Sequence, residues 1–172
     1  MKCWPLLLVL LASPSFCQDS TSHSRSSADS LSTIVSVFYF GGSDCTFCVM
    51  PKEIASINVL RRELPKMHPE ERFKFVLVVM DTDIRKGIGY ARKYPKWDEV
   101  SIGSFYNNEL MLEHVNGTKL PGVPHLLVYR DTLAKRPDFA VPRLCARTLL
   151  GECVGGSKIQ LWIKDGYPLQ YK

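Results

Sequence analysis

Apolar positions fall into short blocks of two kinds, which predicts that strands and helices alternate along the chain. Thr33–Phe40, Phe73–Met80 and His125–Tyr129 are apolar blocks rich in β-branched and aromatic residues, as buried strands are. Between the first two, apolar residues recur every three or four positions from Cys45 to Leu64, which predicts an amphipathic helix. This order favours an α/β sheet covered by helices, in which helical crossovers join parallel strands.

Other segments carry weaker patterns. Ile84–Tyr94 is predicted as a helix softened by two glycines, and a short edge strand is predicted before a final helix that Ser157 caps. Residues 95–121 contain short apolar runs between polar turns, and residues 131–150 carry many turn and charged residues. We interpret both stretches as inserts, one before the loop that leads into the third apolar strand and one before the last strand.

The first residues have the layout of a secretory signal peptide. In MKCWPLLLVLLASPSFC, a lysine precedes an apolar run that is too short to cross a bilayer as a helix, and small residues follow. We predict a signal peptide at residues 1–17, a Ser-rich flexible leader at 18–32 and one folded domain at 33–172. Export implies the periplasm or an extracellular, secretory compartment, where disulfides persist.

The composition excludes several classes of protein. The 172 residues are 45% hydrophobic and 23% charged, which is typical of a soluble folded domain and argues against a disordered chain or a coiled coil. The formal net charge is +5, but the basic residues are scattered, so neither nucleic acid nor a membrane surface is indicated as a partner. Beyond residue 17 no apolar stretch is long enough to span a membrane.

Cys45-Thr46-Phe47-Cys48 is the motif that carries chemistry, since it follows a predicted strand and a Gly-Gly turn and opens the predicted helix. A thiolate attacks disulfides, and the positive end of a helix lowers a cysteine pKa from about 8.5. Cys48 lies one turn deeper, placed to close a disulfide and to resolve a mixed one. We predict that Cys45 attacks and Cys48 resolves. An inert structural disulfide and half of a metal site remain as alternatives.

Around these residues the chain resembles the thioredoxin-like superfamily. The resemblance covers about residues 33–165 and rests on VFYFGGSDCTFC, FKFVLVVMDTD, GVPHLLVYRD and GECVGGSKIQLWIKD. It implies a thioredoxin-like α/β fold, with a central mixed sheet of about four to five strands flanked by helices. It also implies a cis bond at Val123-Pro124 beside the cysteines, with Val123 offering its backbone to an extended substrate segment.

Two neighbouring residues are candidate modulators of the cysteine pair. Asp44 stands where thioredoxin has a tryptophan, and its charge next to Cys45 disfavours the thiolate. His125 follows the loop proline, where a histidine would stabilise a thiolate or join Cys45 and Cys48 in binding copper, as in thioredoxin-fold copper-assembly proteins. A strand histidine without either role is the third interpretation of His125.

Two further cysteines, Cys145 and Cys153, are predicted to form a structural disulfide that ties the second insert to the last strand. The four cysteines after residue 17 allow three pairings. We prefer the local pairing because the two cysteines at the predicted strand–helix junction are already close to each other.

Together these patterns predict an exported thiol–disulfide oxidoreductase that exchanges disulfides with protein substrates. No cofactor is expected, because the cysteine pair is itself the redox centre. The expected partners are thiol- or disulfide-containing proteins and a redox partner that resets the pair. The alternatives are a copper-binding metallochaperone and a non-catalytic binding module on the same fold.

Overall fold

The three apolar blocks form neighbouring strands of one sheet. The computed structural model describes residues 30–94, 96–103, 107–116, 122–135 and 140–171. In chain order its elements are β1 (Ser30–Gly41), α1 (Pro51–Met67), β2 (Phe73–Val79), α2 (Ile84–Ala91), β3 (Glu99–Ile102), α3 (Glu109–Met111, continued by a π-helical turn at Leu112–Asn116), β4 (His125–Lys135), β5 (Arg143–Val154) and α4 (Gly156–Lys164). The predicted signal peptide and most of the predicted leader lie outside the described residues. Across the described ranges, no helix is both long and apolar enough to cross a membrane.

The five strands form a mixed sheet in the order β3-β2-β1-β4-β5. β1 pairs in parallel with β2, and β2 pairs in parallel with β3, while β4 runs antiparallel to both β1 and β5. Helix α1 therefore connects parallel neighbours, as the sequence predicts. Helix α2 leads to β3, which the sequence analysis did not predict, because β3 and α3 both lie in the stretch 95–121 that it interpreted as an insert. The predicted α/β fold, with a central mixed sheet of about four to five strands flanked by helices, is confirmed.

Alternate side chains of β1 enter two apolar clusters on opposite faces of the sheet. The cluster beneath α1 and α4, here the first cluster, includes Val35, Val37, Tyr39, Cys48, Ile57, Leu60, Leu64, Leu77, Leu126, Val128, Ile159 and Trp162. The second cluster, which α3 and its continuation cover, consists of Phe38, Phe40, Val76, Val78, Met111, Val115 and Leu127. Cys48 therefore belongs to the core as well as to the C-x-x-C motif.

The boundaries of two helices differ from the prediction. Pro51 is the first residue of α1, a position where its missing N–H costs no helical hydrogen bond, so the C-x-x-C lies in the turn before the helix. Pro65 lies inside the helix, which continues to Met67. Helix α4 begins after Gly155, whose φ of 89° suits glycine, and the side chain of Ser157 does not cap it.

A hairpin replaces the second predicted insert. β4 extends to Lys135 and β5 begins at Arg143, so most of residues 131–150 form paired strand rather than loop. The hydrogen bonds that pair β4 with β5 join backbone groups and place few demands on the side chains. An antiparallel edge strand also tolerates polar side chains that face solvent. For both reasons the composition of residues 131–150 suggested a loop. For the same reason Ser30–Ser32, assigned to the leader, belong to β1, where they pair with Leu133–Lys135.

A buried charged network joins β1, β4 and β5 on the face of the second cluster. Arg147 donates to Asp131 through Nε at 2.7 Å and Nη2 at 2.9 Å, and Ser36 Oγ donates to the same carboxylate at 2.6 Å. Arg147 Nη1 lies 2.9 Å from His114 Nε2. Asp131 is 4% exposed, so its charge depends on this arginine for compensation.

We expect Arg147→Met to lower the free energy of unfolding by about 3 kcal/mol or more, because it leaves the Asp131 carboxylate buried without a cation. Urea denaturation followed by circular dichroism measures the loss. Arg143→Met, on an exposed residue at the start of the same strand, is the control and should change stability by less than about 0.5 kcal/mol. Equal losses in the two variants would show that the network does not stabilise the fold.

Candidate active site

A carboxylate after β2 holds the turn that follows β1. The backbone N–H of Ser43 donates to both oxygens of Asp81, at 3.1 and 3.0 Å, and Ser43 Oγ also donates to Asp81. Cys45 N donates to Gly42 O at 3.3 Å, which closes the turn. The first cysteine is thus positioned by the parallel pairing of β1 with β2, because that pairing brings Asp81 next to the turn.

Cys45 and Cys48 form a disulfide with an outer and an inner sulfur. The S–S distance is 2.05 Å and the Cα–Cα distance is 5.2 Å. Cys45 is half-buried, whereas Cys48 is 0% exposed. The backbone N–H of Cys48 points at Cys45 Sγ at 3.2 Å. When the disulfide opens, this N–H stabilises negative charge on the outer sulfur.

A cavity of about 250 Å³ lies beside the outer sulfur, and its wall includes the loop before β4. The lining residues are Gly42, Asp44, Cys45, Met80, Asp81, Thr82 and Val123. The Val123-Pro124 bond is cis, as the resemblance implies. Gly155 N donates to Pro124 O at 2.8 Å, which attaches the loop to the start of α4. Val123 and Cys45 therefore face a common space, while Pro124 is buried behind it.

The two predicted modulators lie in different surroundings. Asp44 is exposed beside Cys45, and Lys86 Nζ lies 3.6 Å from its carboxylate, which offsets its charge. His125 is fully buried, with Nε2 2.9 Å from Glu152 Oε1 and its ring 5.9 Å from Phe40. Burial lowers the pKa of His125, and the Glu152 carboxylate partly opposes that shift.

The structure separates His125 from the cysteine pair. Leu126 and Val128 belong to the first cluster with Cys48, so the preceding residue of β4 faces the opposite side of the sheet. The interpretation of His125 as a thiolate modulator, or as a third copper ligand, is corrected accordingly. Among the residues that the structure describes, no three His, Cys, Asp or Glu side chains are arranged to hold a metal ion.

Cys145 and Cys153 do not form the predicted disulfide with each other. Both lie on β5, and eight residues of extended strand separate their Cα atoms by roughly 25 Å. No disulfide spans such a distance. Cys153 packs into the first cluster, where burial raises the pKa of its thiol to about 11.

Buried tyrosines lie close to the inner cysteine, and sequence reasoning missed them. Tyr94 Oη donates to Cys48 O at 2.9 Å and lies 3.2 Å from Tyr90 Oη. A Cβ on Gly41 would meet Tyr90 Oη closely and Cys48 Sγ at 3.3 Å, so the hydroxyl and the sulfur border the same small space. The Tyr39 ring packs 5.8 Å from that of Tyr94. The four-residue spacing of Tyr90 and Tyr94 was the only sign of this cluster that the sequence offered.

Glu53 is the second missed residue. The helical pattern places Glu53 on a polar face of α1, but α4 packs over that face and leaves Glu53 only 2% exposed. Gln160 Nε2 donates to Glu53 Oε2 at 3.4 Å, and Oε1 has no hydrogen-bond partner among the described residues. Burial raises the pKa of this carboxyl. An ionised carboxyl in this position costs free energy because it is buried with few polar partners.

No protein-family model matches the chain, and no curated protein matches it. The chain is similar to the crystal structure of StoA from Bacillus subtilis, at 14% sequence identity and a TM-score of 0.39, over 76% of this chain and 82% of that one. The fold assignment therefore rests on the topology and the site geometry of this chain.

Gly41→Ala should destabilise the oxidised protein by about 1–3 kcal/mol, because its Cβ would collide with Tyr90 Oη and crowd Cys48 Sγ. Denaturant unfolding measures the change. Gly89→Ala is the matched control, since a Cβ there meets nothing within 4 Å, and alanine should stabilise α2 by up to about 1 kcal/mol. A Gly41→Ala variant as stable as the parent protein would contradict the close packing at the inner sulfur.

Cys153 should resist alkylation in the folded protein. Its thiol is 8% exposed, and its pKa of about 11 keeps it protonated at pH 8, where thiolates react. Iodoacetamide labelling followed by peptide mass spectrometry should show modification of Cys153 after unfolding in urea and little before. Rapid labelling of the native protein would disprove the buried placement of this thiol.

Proposed function

We propose that the protein is an exported thiol–disulfide oxidoreductase that exchanges disulfides with protein substrates through Cys45 and Cys48. The observation that carries the proposal is the unequal environment of the two sulfurs. The outer sulfur borders a cavity whose wall contains Val123 of the cis-proline loop, and the inner sulfur is fully covered. A purely structural disulfide needs no such cavity at one of its sulfurs.

The geometry suits exchange in two steps. In the reduced protein, the Cys45 thiolate attacks one sulfur of a substrate disulfide, forms a mixed disulfide and releases the other substrate sulfur as a thiolate. Cys48 then attacks Cys45 Sγ, reforms the internal disulfide and releases the second substrate thiolate. The same steps in reverse oxidise a substrate dithiol. The short separation of the two cysteines keeps the second step intramolecular.

Exposed apolar side chains close to the cysteine pair in sequence favour protein substrates over small thiols. Phe47, between the two cysteines, is 62% exposed, and Met50, two residues after Cys48, is 45% exposed. Val123 offers backbone groups to an extended segment, as the resemblance implies. Export is supported by the layout of residues 1–17, and a redox partner that resets the pair completes the proposed cycle.

Cys48→Ser should trap covalent complexes with protein substrates, because Cys45 still attacks but no inner thiol resolves the product. Cys45→Ser should trap few or none, since the remaining Cys48 thiol is buried. Each variant is produced in a secreting host, and free thiols are blocked by acid and alkylation. Non-reducing gels then measure the amount of covalent complex that each variant forms. The parent protein should also titrate reversibly against glutathione. Failure of the cysteine pair to cycle would remove the enzymatic proposal and leave the non-catalytic binding module.

A further inference from the structure

The wall of the cavity beside the outer sulfur carries charge of one sign. Among the described residues that line this cavity, Asp44 and Asp81 are the only charged ones. The formal net charge of the whole chain is +5, so a negative wall is not what the overall composition would produce. Thiol–disulfide exchange, on which this inference rests, takes place beside this wall.

Asp81 is the fixed part of the negative wall. It is 6% exposed, and both of its oxygens accept hydrogen bonds from the backbone N–H of Ser43, as those of an ionised carboxylate do. Within the described ranges, no Lys, Arg or His side chain forms an ion pair with Asp81. Its hydrogen-bond donors are neutral, so they leave its negative charge in place.

Asp44 adds a second carboxylate at the mouth of the cavity. It directly precedes Cys45, and its side chain is 82% exposed. Lys86 Nζ lies 3.6 Å from Asp44 Oδ1, but the lysine side chain is itself 58% exposed. Ion pairs between exposed side chains are weak, so Lys86 offsets the charge of Asp44 only in part.

Disulfide exchange brings further negative charge to this place. When the Cys45 thiolate attacks a substrate disulfide, a new S–S bond forms, the substrate S–S bond breaks, and the electron pair of that bond leaves on the departing sulfur. One negative charge is therefore shared by the attacking and departing sulfurs throughout the step. Two carboxylates nearby raise the free energy of that charge, and a positive group on the substrate would lower it.

The cavity has room for such a group. Its volume is about 250 Å³, and a water molecule takes up about 30 Å³ of the liquid, so a flexible side chain fits. Val123 supplies apolar wall, and Thr82 is exposed at the rim. Lysine and arginine side chains pack their aliphatic stems on apolar surface and direct the charge toward polar groups.

We propose that Asp44 and Asp81 make the site selective for cationic substrates, in which a lysine or arginine lies next to the reacting cysteine. The two carboxylates attract the basic side chain and disfavour anionic thiols and disulfides. Asp44 thus has a role in choosing the substrate that is separate from its effect on the Cys45 thiolate.

Two small disulfides of opposite charge test this selectivity. Cystamine carries two ammonium groups, and dithiodipropionate carries two carboxylates. The reduced protein is mixed with an excess of either disulfide at low ionic strength, quenched in acid at increasing times and alkylated, and peptide mass spectrometry quantifies the reduced Cys45–Cys48 pair. The selectivity is the ratio of the cystamine rate constant to the dithiodipropionate rate constant. Comparing this ratio between variants cancels the intrinsic reactivity of each reagent and any change in the thiolate fraction of Cys45.

We expect Asp44→Asn to lower the ratio by about threefold or more and Lys86→Gln to raise it by about twofold, with both effects shrinking at about 0.5 M salt. Glu70→Gln makes the same change in net charge as Asp44→Asn on an exposed residue. Because Glu70 precedes β2 and Cys45 follows β1, the two lie at opposite edges of the parallel pair, and Glu70→Gln should keep the parent ratio.

Asp81→Asn should lower the ratio as well. Because Asp81 also holds Ser43, circular dichroism must first show that this variant folds. If it does not fold, the exposed residues Asp44 and Lys86 decide the matter.

A matched pair of peptides tests the substrate class directly. Each peptide has one cysteine, joined by a disulfide to mercaptoethanol, and the two differ only in carrying lysine or glutamate on both sides of that cysteine. The parent protein should prefer the lysine peptide, and Asp44→Asn should reduce this preference by about threefold or more.

The same ratios in the parent protein, Asp44→Asn and Lys86→Gln would overturn the selectivity and leave the proposed oxidoreductase intact, since all three would still react. A parent protein that reacts with neither small disulfide and neither peptide would overturn the proposed function and the selectivity together.

Discussion

Parallel pairing of β1 with β2 is the constraint on which the site depends. It brings the ends of both strands to one edge of the sheet, so Asp81 after β2 meets the turn after β1 and fixes Ser43. That turn places Cys45 near the surface and Cys48 in the core. The antiparallel pairing of β4 with β1 then places the Val123-Pro124 loop at the same edge, beside the outer sulfur. Each part of the site therefore sits at the end of a strand whose position the sheet determines.

Local patterns in the sequence were sufficient for β1, β2, the start of β4, the helix between β1 and β2 and the cysteine turn, whereas β3 was missed because its four residues lie among polar turns. The apolar blocks are contiguous, and a strand followed by glycines and a C-x-x-C is visible within about fifteen residues. The hairpin of β4 and β5 was missed because ladder hydrogen bonds join backbones and leave little trace in side-chain composition. The absence of a Cys145–Cys153 disulfide follows from that hairpin, since both residues lie on one extended strand.

Contacts between distant segments could not be read from the sequence. Glu53 follows a pattern that predicts an exposed position, and it is buried because α4, more than a hundred residues later, packs over it. His125 follows the loop proline in sequence, yet strand alternation turns it toward Phe40 and away from the cysteines. For Glu53 the missing information is which helix covers it, and for His125 it is which face of the sheet the side chain enters.

Because Cys48 belongs to the apolar core, the redox equilibrium of the cysteine pair and the stability of the fold depend on each other. The oxidised and the reduced protein differ in their free energy of unfolding. By a thermodynamic cycle, this difference equals the difference in the free energy of disulfide formation between the folded and the unfolded chain. Buried side chains of the same cluster, such as Ile57 and Leu126, therefore affect the midpoint potential of the pair wherever they stabilise one redox state of the folded chain more than the other. Over evolution, repacking of this interior would change the midpoint potential while the exposed surface around Cys45 stays the same.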